Sequence, residues 1–161
     1  MNVSKTYEKI EKYLDAHVYD IKKADNVEGG SVYTVDGFIM YFLPDCSAWT
    51  VHIDPNGSRP LYNLYNGIFT ENYRRGKITP GKIGSRAVLR ISNKPDGGNT
   101  YILKSFTKLF PAKTDYFTIP ELGSKSMVVA GSYQNNKFHV FAVIAPFLEH
   151  SDDSFTPAVT A

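Results

Sequence analysis

Cysteine is almost missing from this chain: of 161 residues, only Cys46 is one. An intramolecular disulfide is therefore excluded, and a thiolate zinc centre lacks its ligands. Long apolar runs are missing as well. The longest, 38–43 and 140–145, fall far short of the roughly 20 residues a membrane-spanning helix requires. No apolar run follows a basic N-terminus as in a secretory signal, so the expectation is a cytoplasmic protein without membrane contact. There is no phosphate-binding glycine loop, because Glu28-Gly29-Gly30 and Gly97-Gly98 lack the Lys-Ser/Thr that should follow. Nor is there a Gly-x-Ser-x-Gly elbow, an internal repeat or a low-complexity tract. What is plentiful is aromatic: 11 Tyr, 10 Phe and 1 Trp, in a chain that is 42% hydrophobic and carries 12 Gly and 9 Pro. That mixture suits one globular domain of short strands and turns.

Hydrophobic spacing gives the elements. Val3, Tyr7, Ile10, Leu14 and Val18 recur every three or four residues, the stripe of an amphipathic helix. Residues 31–43 read as two strands joined at Asp36-Gly37, a hairpin-turn pair, and 38–43 suits a strand buried on both faces. A third strand is expected at 49–54. Leu61, Leu64, Tyr65, Ile68 and Phe69 predict a second helix starting near Ser58 and closing on Arg74, Arg75 and Gly76. The rest is β: hairpins 86–92 with 100–106 and 127–133 with 138–144, and a short strand at 116–119. The expected architecture is α+β, an antiparallel β-sheet with an N-terminal helix and a second helix inserted mid-chain. It forms a single domain over 1–149, with a disordered tail over 150–161. Phe38, Met40, Phe42, Val51, Ile53, Val129, Phe141 and Val143 are expected in one buried layer.

Charge is unevenly spread. Residues 1–73 hold 6 Lys and Arg against 10 acids, a net of −4, and residues 114–161 hold 2 against 5, a net of −3. Between them, 74–113 holds 10 Lys and Arg against Asp96 alone, a net of +9. Such a segment attracts phosphates through counterion release, and the interleaved Tyr101, Phe106 and Phe110 offer faces for unpaired bases. The candidate polyanion-binding residues are Arg74, Arg75, Lys77, Lys82, Arg86, Arg90 and Lys104. On strand parity, Arg86, Arg90 and Lys104 form a basic stripe while Ala87, Leu89 and Ile91 turn inward.

One local pattern carries catalytic chemistry. His52-Ile53-Asp54-Pro55-Asn56-Gly57, then Asn63-Leu64 and Glu71-Asn72, resembles the core of the HNH homing endonucleases. The resemblance implies His52 as the base that deprotonates the attacking water, Asn63 as the loop brace and Asn72 as a ligand to a divalent metal. Val51 stands where that family carries a metal-binding residue before the His. Separately, His52 and His139 on apolar strands resemble the paired histidines of 2H phosphoesterases, but Asp54 and Phe141 occupy the places of the phosphate-binding hydroxyls.

These features together point to a small non-catalytic binding protein, of the kind a phage or mobile element uses as an accessory factor. Its target would be nucleic acid or a nucleoprotein complex, met through 74–113, with no cofactor. The alternatives are a metal-dependent nuclease built on 52–72, for which the divalent metal would be the cofactor, and an inhibitor or protein-interaction module whose aromatics contact a protein partner.

Overall fold

The computed structural model describes residues 3–21, 23–27, 30–44, 73–95, 97–148 and 154–158. The expected strand at 49–54 with Val51 and Ile53, the residues His52, Asn63 and Asn72, and most of the expected second helix lie outside that set.

The helical stripe becomes α1 (Val3–Ala16), which buries Val3, Tyr7, Ile10 and Leu14. Ile10 and Leu14 are wholly buried, a gain of about 1.5–3 kcal/mol apiece. The β-branched and aromatic runs form strands: β1 (Lys23–Val27), β2 (Gly30–Thr34), β3 (Ile39–Pro44), β4 (Arg74–Arg75), β5 (Lys77–Ile83), β6 (Arg86–Ser92), β7 (Asn99–Leu103), β8 (Asp115–Thr118), β9 (Val128–Gln134), β10 (Lys137–Ile144) and β11 (Phe155–Pro157). Short 3₁₀ turns occupy Val18–Asp20, Lys104–Thr107 and Pro120–Lys125.

Among the described residues the strands form two antiparallel sheets. The larger has the order β1-β2-β3-β10-β9-β8-β4 and the smaller β11-β5-β6-β7. Helix α1 lies against β3 and β10. Its Tyr7 hydroxyl donates to the Val140 carbonyl at 2.7 Å, and the Tyr7 ring meets Phe42 and Phe141 edge-on. The chain passes between sheets at Gly76, whose N–H donates to Tyr116 O. A Cβ there would collide with Ile91, so the corner admits only glycine. No described helix is long and apolar enough to cross a membrane.

The smaller sheet is covered on both faces. Leu89, Ile91 and Ile102 join the main core with β3, β9 and β10. Ile83, Val88, Tyr101 and Phe155 make a second, smaller core on the other face.

Much of the expected architecture is present: an antiparallel sheet system with an N-terminal helix. The hairpin β9–β10 turns on Asn135 and Asn136, with φ of 54° and 63°. Those two positive values are what a two-residue turn of the strand-matching hand demands. Met40, Phe42, Val129, Phe141 and Val143 are buried.

Four expectations need correction. Phe38 is 60% exposed, because the β2–β3 loop is pinned by Asp36 Oδ1, which accepts from Phe38 N at 2.7 Å and from Ile39 N at 3.3 Å. The strand therefore starts only at Ile39. Arg74 and Arg75 do not end a helix; they pair with Thr118 and Phe117 as an edge strand. Lys104 is not in a strand, since β7 stops at Leu103 and the chain tightens into a 3₁₀ turn. Finally, the C-terminal stretch expected to lack structure contains β11, which pairs Phe155 with Ile83 and Pro157 with Gly81.

Candidate functional site

Among the described residues β4 has one neighbour, β8, and its Arg74 and Arg75 side chains are exposed. Gly76 turns the chain, and Lys77 opens β5 opposite Ser92 at the end of β6. The 93–98 loop follows. It is stitched to the 120–125 turn by Gly98 N donating to Pro120 O at 3.3 Å and by Thr100 Oγ1 donating to Gly123 O at 2.7 Å. Asn93 Nδ2 donates to Thr118 Oγ1. These bonds frame a concavity of about 540 Å³ where the two sheets meet. Arg74, Arg75, Lys77 and Lys94 line it, with Ser92 and Asn93 between them and Glu121 as the one carboxylate among the described residues.

Two of these cations are held by neighbours. Arg75 Nη1 sits 3.9 Å from Asp115 Oδ1, a solvent-screened pair worth about 0–1 kcal/mol. Arg74 Nη1 donates to the Tyr73 carbonyl at 2.9 Å. The Tyr73 side chain itself packs on the main core, and burial pushes its hydroxyl pKa up. The chemistry on offer is anion binding: fixed positive charge, fork-shaped guanidinium donors and amide and hydroxyl groups between them.

The other expected residues lie elsewhere. Lys82 and Lys104 line a separate depression with Pro80, Ala87 and Thr156. Lys82 is five residues beyond Lys77 on β5, about 17 Å along the strand. Arg86 borders a third, apolar depression. Arg90 lies under the Phe155 ring, its Cζ 4.6 Å from the ring centroid, and its Nε is buried without a hydrogen-bond partner among the described residues. The expected stripe of Arg86, Arg90 and Lys104 is thus not one surface. Ala87, expected inside, is exposed. Arg90 is covered because Phe155, on the edge strand of the same sheet, folds its ring over the face that strand parity had assigned to solvent. Lys94 and Glu121 were not among the expected site residues. Lys94 belongs to the basic segment by sequence, but nothing in the sequence put it beside Arg74.

The catalytic candidates are not brought together within the described set, because His52, Asn63 and Asn72 fall outside it. Among the described residues no three His, Cys, Asp or Glu side chains cluster as a metal site would require. His139 is half-buried in β10, paired in register with Ser132. Burial also raises the pKa of Tyr41 and of Tyr116, so both are neutral core phenols.

No protein-family model, curated protein or solved structure matches this chain.

Proposed function

We propose that the protein is a non-catalytic binding protein for nucleic acid, taken hold of at the junction of its two sheets. The observation that supports this is the convergence of Arg74, Arg75, Lys77 and Lys94 on one concavity, against a single carboxylate among the described residues. Three of the four arise within four consecutive positions because the β4–β5 corner fans them outward from two sheets. Four such cations meet the backbone phosphates of a strand without reading its sequence. The neighbouring Ser92 and Asn93 suit further hydrogen bonds to phosphate oxygens.

A salt titration tests the reading. Fluorescence anisotropy with a labelled oligonucleotide of about 20 nucleotides, between about 50 and 200 mM salt, gives the slope of log affinity against log salt. Replacing Arg74, Arg75 and Lys77 together by Ala should lower that slope by roughly 2–3, at about 0.7–0.9 for each phosphate no longer neutralised. An unchanged slope, or no wild-type binding at the lowest salt, refutes it.

A further inference from the structure

The opposite end of the β5–β6 ribbon carries a second feature. A groove of about 400 Å³ runs between Phe38 and Leu148 over Phe106 and Phe147, with Arg86 on its rim. Its floor is held from both sides. After β10 the chain gives Ala145 N to Phe38 O at 2.8 Å and Phe147 N to Tyr101 O at 2.7 Å, tying the 145–148 strip to both sheets. Phe106 packs on the main core and Phe147 on the smaller one. The rim is the reverse: Phe38 and Leu148 are 60% and 62% exposed. Asp36 holds Phe38 outward through two backbone hydrogen bonds, so an ordered loop keeps an aromatic ring in water. A patch of large apolar side chains fixed in this way marks a binding surface.

Charge identifies the occupant. The one ionic side chain on the described rim is a cation, Arg86, and the exposed Lys104 lies two residues before Phe106 on the same 3₁₀ turn. Aromatic faces bordered by cations fit a ligand that is flat and apolar in one part and anionic in the next. An unpaired nucleotide is such a ligand. Arg86 and Ser92 bound β6, so the groove and the basic concavity are about 20 Å apart along the strand, within reach of one bound single strand.

We propose that this groove receives unpaired nucleobases, which stack on Phe38 while Arg86 meets the adjoining phosphate. The protein then prefers single-stranded over duplex nucleic acid. The inference rests on the nucleic-acid reading above and specifies its substrate class.

The test compares labelled oligothymidylate with a duplex of the same length. The wild type should bind the single strand more tightly. Phe38→Ala should weaken single-strand binding roughly five- to a hundredfold, the usual range for losing one stacked base, and leave the salt slope unchanged. Phe38→Trp should retain affinity, and its indole fluorescence should be quenched on binding. Phe38 is largely exposed, so these variants keep the fold, which circular dichroism checks. If the wild type binds both forms equally, or Phe38→Ala binds like the wild type, the groove serves another occupant such as a peptide and this inference falls. In that case a salt slope that still responds to Arg74, Arg75 and Lys77 keeps the concavity reading intact. If no nucleic acid binds at all, both fall together.

Discussion

Phe155 is the buried anchor of a three-residue strand whose other two residues are exposed, which makes it a sharp test of how the smaller sheet is closed. Its side chain is 9% exposed, its ring lies 5.3 Å from that of Tyr101, and the Arg90 guanidinium stacks on it. Truncating a core Phe to Ala costs about 3–5 kcal/mol. The second core is small and sits at a sheet edge, so the site relaxes more easily and the lower bound, about 3 kcal/mol, is expected. Removing the cation–π stacking accounts for about 0.5–1 kcal/mol of that. With a urea m-value near 2 kcal/mol/M, the unfolding midpoint of Phe155→Ala should fall by about 1.5 M. Gly81→Ala disturbs the same packing from the partner strand. The added Cβ would stand 2.5 Å from Phe155 Cε2 and collide with the Thr156 carbonyl, so it should expel β11 by itself. Because both variants remove one docking event, their losses should not add in the double variant. Urea unfolding followed by circular dichroism measures all three. If both single variants stay within about 0.5 kcal/mol of the wild type, the range of an ordinary surface substitution, then β11 does not close the sheet and the reasoning is wrong.

Two other outcomes follow from local chemistry. Burial raises the pKa of Tyr41, with Tyr13 and Asp36 adding to the shift, and burial does the same for Tyr116. The neutral phenol is the form the fold accommodates, so this stability is fully present below the ordinary tyrosine pKa of 10.0 and is lost as pH climbs above it. The urea midpoint should therefore drop steeply above that pH, and much less in a Tyr41→Phe, Tyr116→Phe double variant. At the β9–β10 turn, Asn136 holds a φ of 63°; Asn136→Gly should be neutral or slightly stabilising, whereas Asn136→Val should cost about 1–2 kcal/mol in the same assay.

The readable parts of the fold were those whose partners lie nearby in sequence. The α1 stripe needs only its own period, and hairpins β6–β7 and β9–β10 need only a turn and flanking alternation. What sequence could not give was the identity of distant partners. Arg74 and Arg75, followed by Gly76, have the composition of a helix end, yet their backbone bonds go to Thr118 and Phe117, more than forty positions away. Strand β11 is harder still. It has one buried side chain in a polar stretch, and its docking depends on a bare Gly81 about seventy residues earlier. Phe38 failed for a shorter-range reason: six apolar residues in a row read as one strand, but Asp36 takes the backbone N–H groups of the first two into the loop.

The site was legible as an amount of charge and not as a placement. Parity along β6 assigns Arg86 and Arg90 to one face, and that holds. It also assumes the face is open, and there the second core decides otherwise. With Leu89, Ile91 and Ile102 buried on one side and Val88, Tyr101 and Phe155 on the other, a cation in the middle of the ribbon has little water to reach. Arg90 lies on an aromatic ring for that reason. The other candidate cations, with Lys94, gather where strands stop and side chains escape both cores: Arg74, Arg75, Lys77 and Lys94 at one end, and Lys82, Arg86 and Lys104 at the other, while Lys108 of the same block lies over the Tyr13 ring beside α1. A block of 40 residues that reads as one basic surface thus becomes two basic ends about 17–20 Å apart, with a covered sheet between them. Among the described residues, the groove at the second end carries the largely exposed ring of Phe38, and no aromatic side chain lines the concavity at the first. Charge alone makes the ends equivalent, and Phe38 is what distinguishes them.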